Sequence, residues 1–238
     1  MPNLLKRRIT FGGESVPALI ASAPKIIRAK RKITVVQVAG SNREVVDMED
    51  AWECYDQPYT LFVGDGTEDS IQEALVSVAD VLYKKDWQEL LDDYEPDYFR
   101  LAYFEGPYDI ENRKTRVGKF DITLRCRPER FLLTGKYPVN VPTGNILTNP
   151  TRYNAKPLIR IEGSGSGTVT VGNTTMSFTD IVDYLYVDCE KQDVYRLPSE
   201  NRNENMTGEF PVLASGNTTV SFTGGISAVK ITPRYWTI

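Results

Sequence analysis

Histidine is absent from all 238 residues. That removes Ser-His-Asp triads, imidazole acid–base catalysis and the usual zinc sites, leaving carboxylates or lysine for any chemistry. Cysteine is scarce. Cys54, Cys126 and Cys189 are odd in number and widely separated, so they offer neither a metal-ligand spacing nor a disulfide framework, and reduced thiols are expected. A basic excess is missing as well. With 28 Lys and Arg against 32 Asp and Glu the formal net charge is −4, the wrong sign for a nucleic-acid binder. The clusters Lys6-Arg7-Arg8 and Lys30-Arg31-Lys32 read as solvated faces or protein contacts rather than phosphate sites. No apolar run approaches the ~20 residues of a membrane span, and the residues from Met1 to Arg8 lack the apolar stretch of a signal peptide. The expectation is a soluble chain that is not exported.

What is present is an ordinary globular composition, 41% hydrophobic and 25% charged, in a length that suits two domains. Short β-branched runs between turn residues dominate: Ile33 to Val38, closed by Gly40-Ser41-Asn42, then Thr60 to Val63, closed by Gly64-Asp65-Gly66. One segment differs. Ile71, Leu75, Val78 and Leu82 recur at helical spacing behind a capping-box variant, Asp69 to Gln72, with Lys84-Lys85 at the negative end of the dipole. Its apolar stripe is expected to face a sheet. Lys119 to Arg127 alternates cleanly, with Phe120, Ile122, Leu124 and Cys126 on one face, the pattern of a sheet with one dry and one wet side. The stretch from Phe131 to Pro142 carries turn residues and no periodicity, and marks a junction.

In the second half, Gly163 to Gly167 reads as a turn, since no Gly-Lys-Ser/Thr and no helix follow to make it a phosphate loop. Gly172-Asn-Thr-Thr-Met-Ser-Phe-Thr179 returns as Gly216-Asn-Thr-Thr-Val-Ser-Phe-Thr223, which equivalent hairpin turns in a two-sheet sandwich would produce. Gly224-Gly225 reads as a further turn before the strand Ala228 to Thr232. Adjacent acids such as Asp92-Asp93, with Glu53 elsewhere, could be offered for glycoside hydrolysis. Neighbouring side chains point apart on a strand, however, and 32 acidic residues make such pairs expected by chance. The sequence therefore assigns no catalytic residue, no cofactor and no metal.

The segments Gly208-Glu-Phe-Pro-Val-Leu213, Gly216-Asn-Thr218 and Pro233-Arg-Tyr-Trp236 resemble the C-terminal ending of the distal tail (Dit) proteins of long, non-contractile-tailed phages and their prophages. The order of the rest agrees with that family: a helix over Asp69 to Lys85, an acidic turn before Pro96-Asp97-Tyr98-Phe99, and a hairpin whose second strand ends at Arg127-Pro128. The resemblance implies a mostly β fold. Residues 1–134 would form a ring-forming α+β domain with one main helix, and residues 135–238 a galectin-like or carbohydrate-module-like β-sandwich. It implies a structural component of a tail tip or baseplate: a distal tail protein whose ring, of six copies, joins the tail tube to the adsorption apparatus. The partners implied are further copies of the chain, the tail-tube protein, the tail-associated tip protein and receptor-binding proteins, with no specific nucleic-acid binding and no membrane insertion. The place implied is the virion tail tip, after assembly in the bacterial cytoplasm. For the contacts between copies, the strand Ile33 to Val38 and the arm Tyr98 to Arg116 are the candidates, with Ile33, Val35, Arg100, Tyr103, Tyr108, Arg113 and Arg116 as interface residues, because a long polar connection such as Glu105 to Arg116 needs a partner to order it. The alternative is a carbohydrate-binding module for a host surface glycan, with Tyr184, Tyr186 and Tyr235-Trp236 as the stacking aromatics.

Overall fold

A computed structural model describes residues 7–40, 42–63, 68–108, 110–112 and 118–238, with the backbone alone over 68–72 and 110–112. The chain divides into two compact units, Met1–Arg130 with Ile238, and Phe131–Thr237. The first contains β1 (Ile9–Phe11), β2 (Glu14–Ser15), β3 (Leu19–Ile20), β4 (Arg31–Gln37), β5 (Glu44–Trp52), β6 (Tyr55–Val63), α1 (Glu68–Leu82), β7 (Gln88–Asp92), β8 (Tyr98–Phe104), β9 (Ile110–Asn112) and β10 (Gly118–Leu132). In its main sheet the strand order is β2-β1-β7-β8-β10-β6-β3, and β9 adds to β10.

The alternation of β10 is realised as expected. Phe120, Ile122, Leu124 and Cys126 are buried, while Asp121 and Thr123 are exposed. Antiparallel pairing of Ile122 with Tyr59, and of Cys126 with Tyr55, places the inward side chains of β6 on the same face. The helical periodicity is equally sound: Val78, Val81 and Leu82 enter the same core cluster and Val76 faces solvent. Each such buried side chain contributes about 1.5–3 kcal/mol, which is why the stripe fixes which face of α1 meets the sheet. The lysines behave differently from the dipole expectation. Lys84 Nζ donates to the Gly12 carbonyl at 3.1 Å and to Glu14 at 2.5 Å, tying the end of the helix to the β1–β2 turn. The capping-box side chains and the Gly64-Asp65-Gly66 turn lie outside the described residues.

The second unit contains β11 (Val139–Asn140), β12 (Asn145–Asn149), β13 (Leu158–Val171), β14 (Thr174–Asp188), β15 (Asp193–Tyr195), β16 (Met206–Thr207), β17 (Gly216–Thr232) and β18 (Trp236–Thr237). The strand order is β11-β17-β13-β14-β15, with β12 on β17 and β16 on β14. Two expected turns are bends instead. β13 runs through Gly163–Gly167 and β17 through Gly224–Gly225 without leaving the sheet, at the cost of register shifts there. The reason is steric: a Cβ on Gly225 would lie 1.8 Å from the Ser164 carbonyl oxygen, and one on Gly163 2.2 Å from that of Gly225. Without side chains the two backbones close up, and the bulge turns both strands together. Ile159 and Ile161, before the bend, then share one core with Val169 and Val171 after it.

The repeated octapeptide is likewise not a pair of equivalent hairpins. Its first copy is a two-residue hairpin joining Val171 to Thr174, with a left-handed φ of 59° at Gly172. The second opens β17 against β12, Gly216 facing Asn149. The two copies flank β13 two residues out of step, since Val169 faces Met176 on one side and Phe222 on the other.

Candidate assembly surface

Among the described residues β4 and β5 pair only with each other as strands and form a separate two-stranded ribbon. At its root the Arg31 Nε donates to the Glu49 carbonyl at 3.0 Å, and its guanidinium lies over the Trp52 ring. Above the root the register pairs Ile33 with Met48 and Val35 with Val46 on one face, and Val36 with Val45 on the other. These six side chains are each between 44% and 59% exposed. Both faces are therefore apolar and wet, and both outer edges carry unpaired backbone groups. A lone hairpin is marginally stable in water.

Of the predicted interface residues, Ile33 and Val35 sit on this ribbon. The ribbon's second strand, with Val45, Val46 and Met48, escaped the reading because its acids and Met48 dilute the β-branched signal. The Gly40-to-Asn42 turn followed by Val45-Val46 is the hairpin mark that could have found it. Tyr103 is half-buried on a different face of the unit. Its ring meets Trp87 edge-on at 4.9 Å, and the Arg127 guanidinium lies over Trp87 at 4.9 Å. Tyr108 packs inward on Phe104 and Phe120 and donates to the Leu75 carbonyl at 3.3 Å, so it secures α1 to the sheet. Arg113 and Arg116 lie outside the described residues.

Arg100 is corrected by the structure. Its side chain is 3% exposed and presents nothing to a neighbour. Its guanidinium bonds the Asp92 carboxylate at 3.1 Å and contacts Glu95, which also holds Arg130. Asp92 further accepts from the Tyr59 hydroxyl at 2.7 Å and from the Tyr94 and Glu95 amides. The acidic turn is thus an internal staple. Burial pushes the Tyr59 phenol well up, helped by the adjacent Asp92 charge. For Arg100, burial works against the charge, but the acidic groups around it, the Asp92 carboxylate among them, outweigh it and shift the guanidinium up. An alternating strand gives no sign that its arginine points inward.

The aromatics suggested for sugar stacking divide. Tyr235 is 6% exposed and belongs to the core. Trp236 stacks on Tyr153 at 4.3 Å and donates its indole N–H to the Asn154 carbonyl. Tyr184 and Tyr186 lie on the half-exposed face of β14, where the Arg160 guanidinium covers both rings, at 4.6 and 5.7 Å.

Residues 59–126, the span from the middle of β6 to the paired part of β10, match the family model of the phage tail protein RIFT-related domain. The matched span lies within the first unit. The whole chain also superposes on the SPP1 Dit protein, whose structure is described as a paradigm of the hub adsorption apparatus in phages infecting Gram-positive hosts, with a TM-score of 0.71 at 14% identity, over 94% of this chain and 97% of that one. Two structures of the phage p2 baseplate in its activated conformation, with calcium and with strontium, match at TM-scores of 0.52 and 0.51 and 9% identity, over 94% of this chain and 97% of theirs. No curated protein matches the sequence. The chain thus has the mostly β fold of the SPP1 Dit protein, with a match to a phage tail domain over residues 59–126, in line with its sequence motifs.

Proposed function

We propose that this tail protein is a structural hub of the tail tip, assembling through the β4–β5 ribbon into a ring, of six copies as in the resemblance, that joins the tail tube to the adsorption apparatus. The observation that carries the reading is the ribbon itself, whose apolar side chains on both faces stand exposed among the described residues. A neighbouring copy covers them most simply. One surface meeting a different surface on the next copy repeats until the rotation closes a ring, and strand edges contribute main-chain pairing. The tail-tube protein on one side, and a tail-associated tip protein with receptor-binding proteins on the other, are the partners this role requires. A net charge of −4 suits a ring through which DNA slides without sticking. Electron microscopy of the purified chain, alone and mixed with its tail-tube protein, tests the proposal: closed rings capping tubes are expected, and monomers that never engage a tube at micromolar concentration overturn it.

A further inference from the structure

The second unit carries a polar face that the hub role does not use. On one row across β17, β13, β14 and β15, Lys230 faces Arg160, Arg160 faces Tyr186, and Tyr186 faces Tyr195. At ~4.8 Å per strand the row is roughly 14 Å long. Tyr186 and Tyr195 stack at 5.4 Å, and Tyr184 meets Tyr186 edge-on at 5.7 Å. Arg160 and, from the loop after β15, Arg196 both lie over the Tyr184 ring, at 4.6 and 5.7 Å. Two guanidiniums and the Lys230 ammonium are thus gathered together, and one carboxylate serves them. Glu162 Oε1 takes Lys230 Nζ at 2.8 Å and Arg160 Nε at 3.1 Å. The nearby acids Asp188 and Glu200 are engaged by Arg234 and Arg202, and Asp193, beside Tyr195 at the far end of the row, accepts from the Asn201 side-chain amide at 3.2 Å.

The face therefore holds more cation than anion, and its arginines are pre-organised by the rings beneath them. That decides between ligand classes. The Tyr184 and Tyr186 rings already carry guanidiniums, so the stacking surface a neutral sugar needs is taken. The groups that reach solvent are the ends of the arginine forks, the Lys230 ammonium beside Glu162 and the phenol hydroxyls, which recognise oxyanions and polyols. We propose that this face binds an anionic polyol polymer, gripping successive phosphate groups with Arg160, Arg196 and Lys230 while the tyrosine hydroxyls bond the polyol between them.

The test is calorimetric titration of the full chain with a glycerol-phosphate oligomer, a neutral oligosaccharide of similar length and polyglutamate. Binding to the phosphate oligomer is expected, weakening about twentyfold from 50 to 200 mM salt if three phosphates are neutralised. Arg160→Gln with Arg196→Gln should reduce affinity tenfold or more, and Tyr184→Ala should also weaken it by freeing the arginines while leaving the charge intact. Lys156→Gln, an exposed cation of the same unit, should not. Thermal unfolding confirms that each variant is folded, and Arg196→Gln alone serves if the double variant is not. Absence of binding, preference for the neutral sugar, equal or tighter binding of polyglutamate, or indifference to both the arginine and Tyr184 changes would each overturn the assignment.

Discussion

Replacing Ile33, Val35, Val46 and Met48 together by threonine should abolish assembly while leaving the protomer folded. These residues form one face of the ribbon. A Val, Ile or Met side chain gains about 1.5–3 kcal/mol on full burial, and with 44% to 59% of each still exposed in the isolated chain, roughly 1 kcal/mol apiece remains to be gained at a contact. The four changes then remove about 4 kcal/mol per interface, close to a thousandfold in the association constant. Threonine keeps β-branching and strand propensity, so the ribbon retains its shape. None of the four is in the core cluster, and surface changes usually move stability by no more than about 0.5 kcal/mol, a shift of ~1–2 °C in a chain of this size. Sedimentation velocity across a thousandfold concentration range, beside a thermal melt, measures both quantities. Rings at wild-type concentrations from the quadruple variant would refute the reasoning, because the exposed Val36–Val45 pair on the other face supplies only two apolar side chains against the four removed.

Other expectations follow from the buried groups. Arg100→Ala strands the Asp92 and Glu95 carboxylates and should cost about 3–5 kcal/mol, whereas Tyr59→Phe, which removes one donor to Asp92, should cost about 1–3 kcal/mol; urea unfolding of the two variants ranks them. Asp188, gripped by both terminal nitrogens of Arg234 at 2.7 and 3.2 Å, has its carboxyl lowered although burial opposes the shift. A lowered folded value means that its stabilisation is present above about pH 4 and is lost as pH falls through that lower value. Arg234→Gln should flatten this acid limb of the stability–pH curve. Burial raises the Cys126 and Cys189 thiols to about 12, so a thiol reagent at pH 8 should react readily with the more accessible Cys54 and reach the other two only after unfolding. Gly225→Ala, with its Cβ 1.8 Å from a carbonyl oxygen, should lower stability by more than the ~1 kcal/mol of a tolerated core change, as calorimetry would show.

The sequence revealed those elements whose pattern is set by one boundary between water and core. The α1 stripe and the β10 alternation are of this kind, and each appears where periodicity puts it. It misled wherever two remote strands decide together. Gly163–Gly167 and Gly224–Gly225 look like turns singly. Only their mutual approach across the sheet makes them a shared bend. Arg100 fails for a related reason: its inward direction depends on Asp92, Glu95 and Tyr59, which reach it from other strands and turns. The exposed ribbon was half legible. Ile33 and Val35 stand out as a β-branched run, but β5 mixes its valines with acids because a ribbon wet on both faces needs charge to stay soluble.

Because β13 and β17 pass through the glycine bend unbroken, the sheet halves on either side of it share the same covalent strands and the same hydrogen-bond ladder. Neither half can peel away alone, since loosening one drags the other's pairings out of line. A pull applied to the second unit would therefore meet one all-or-none element rather than a series of yielding parts.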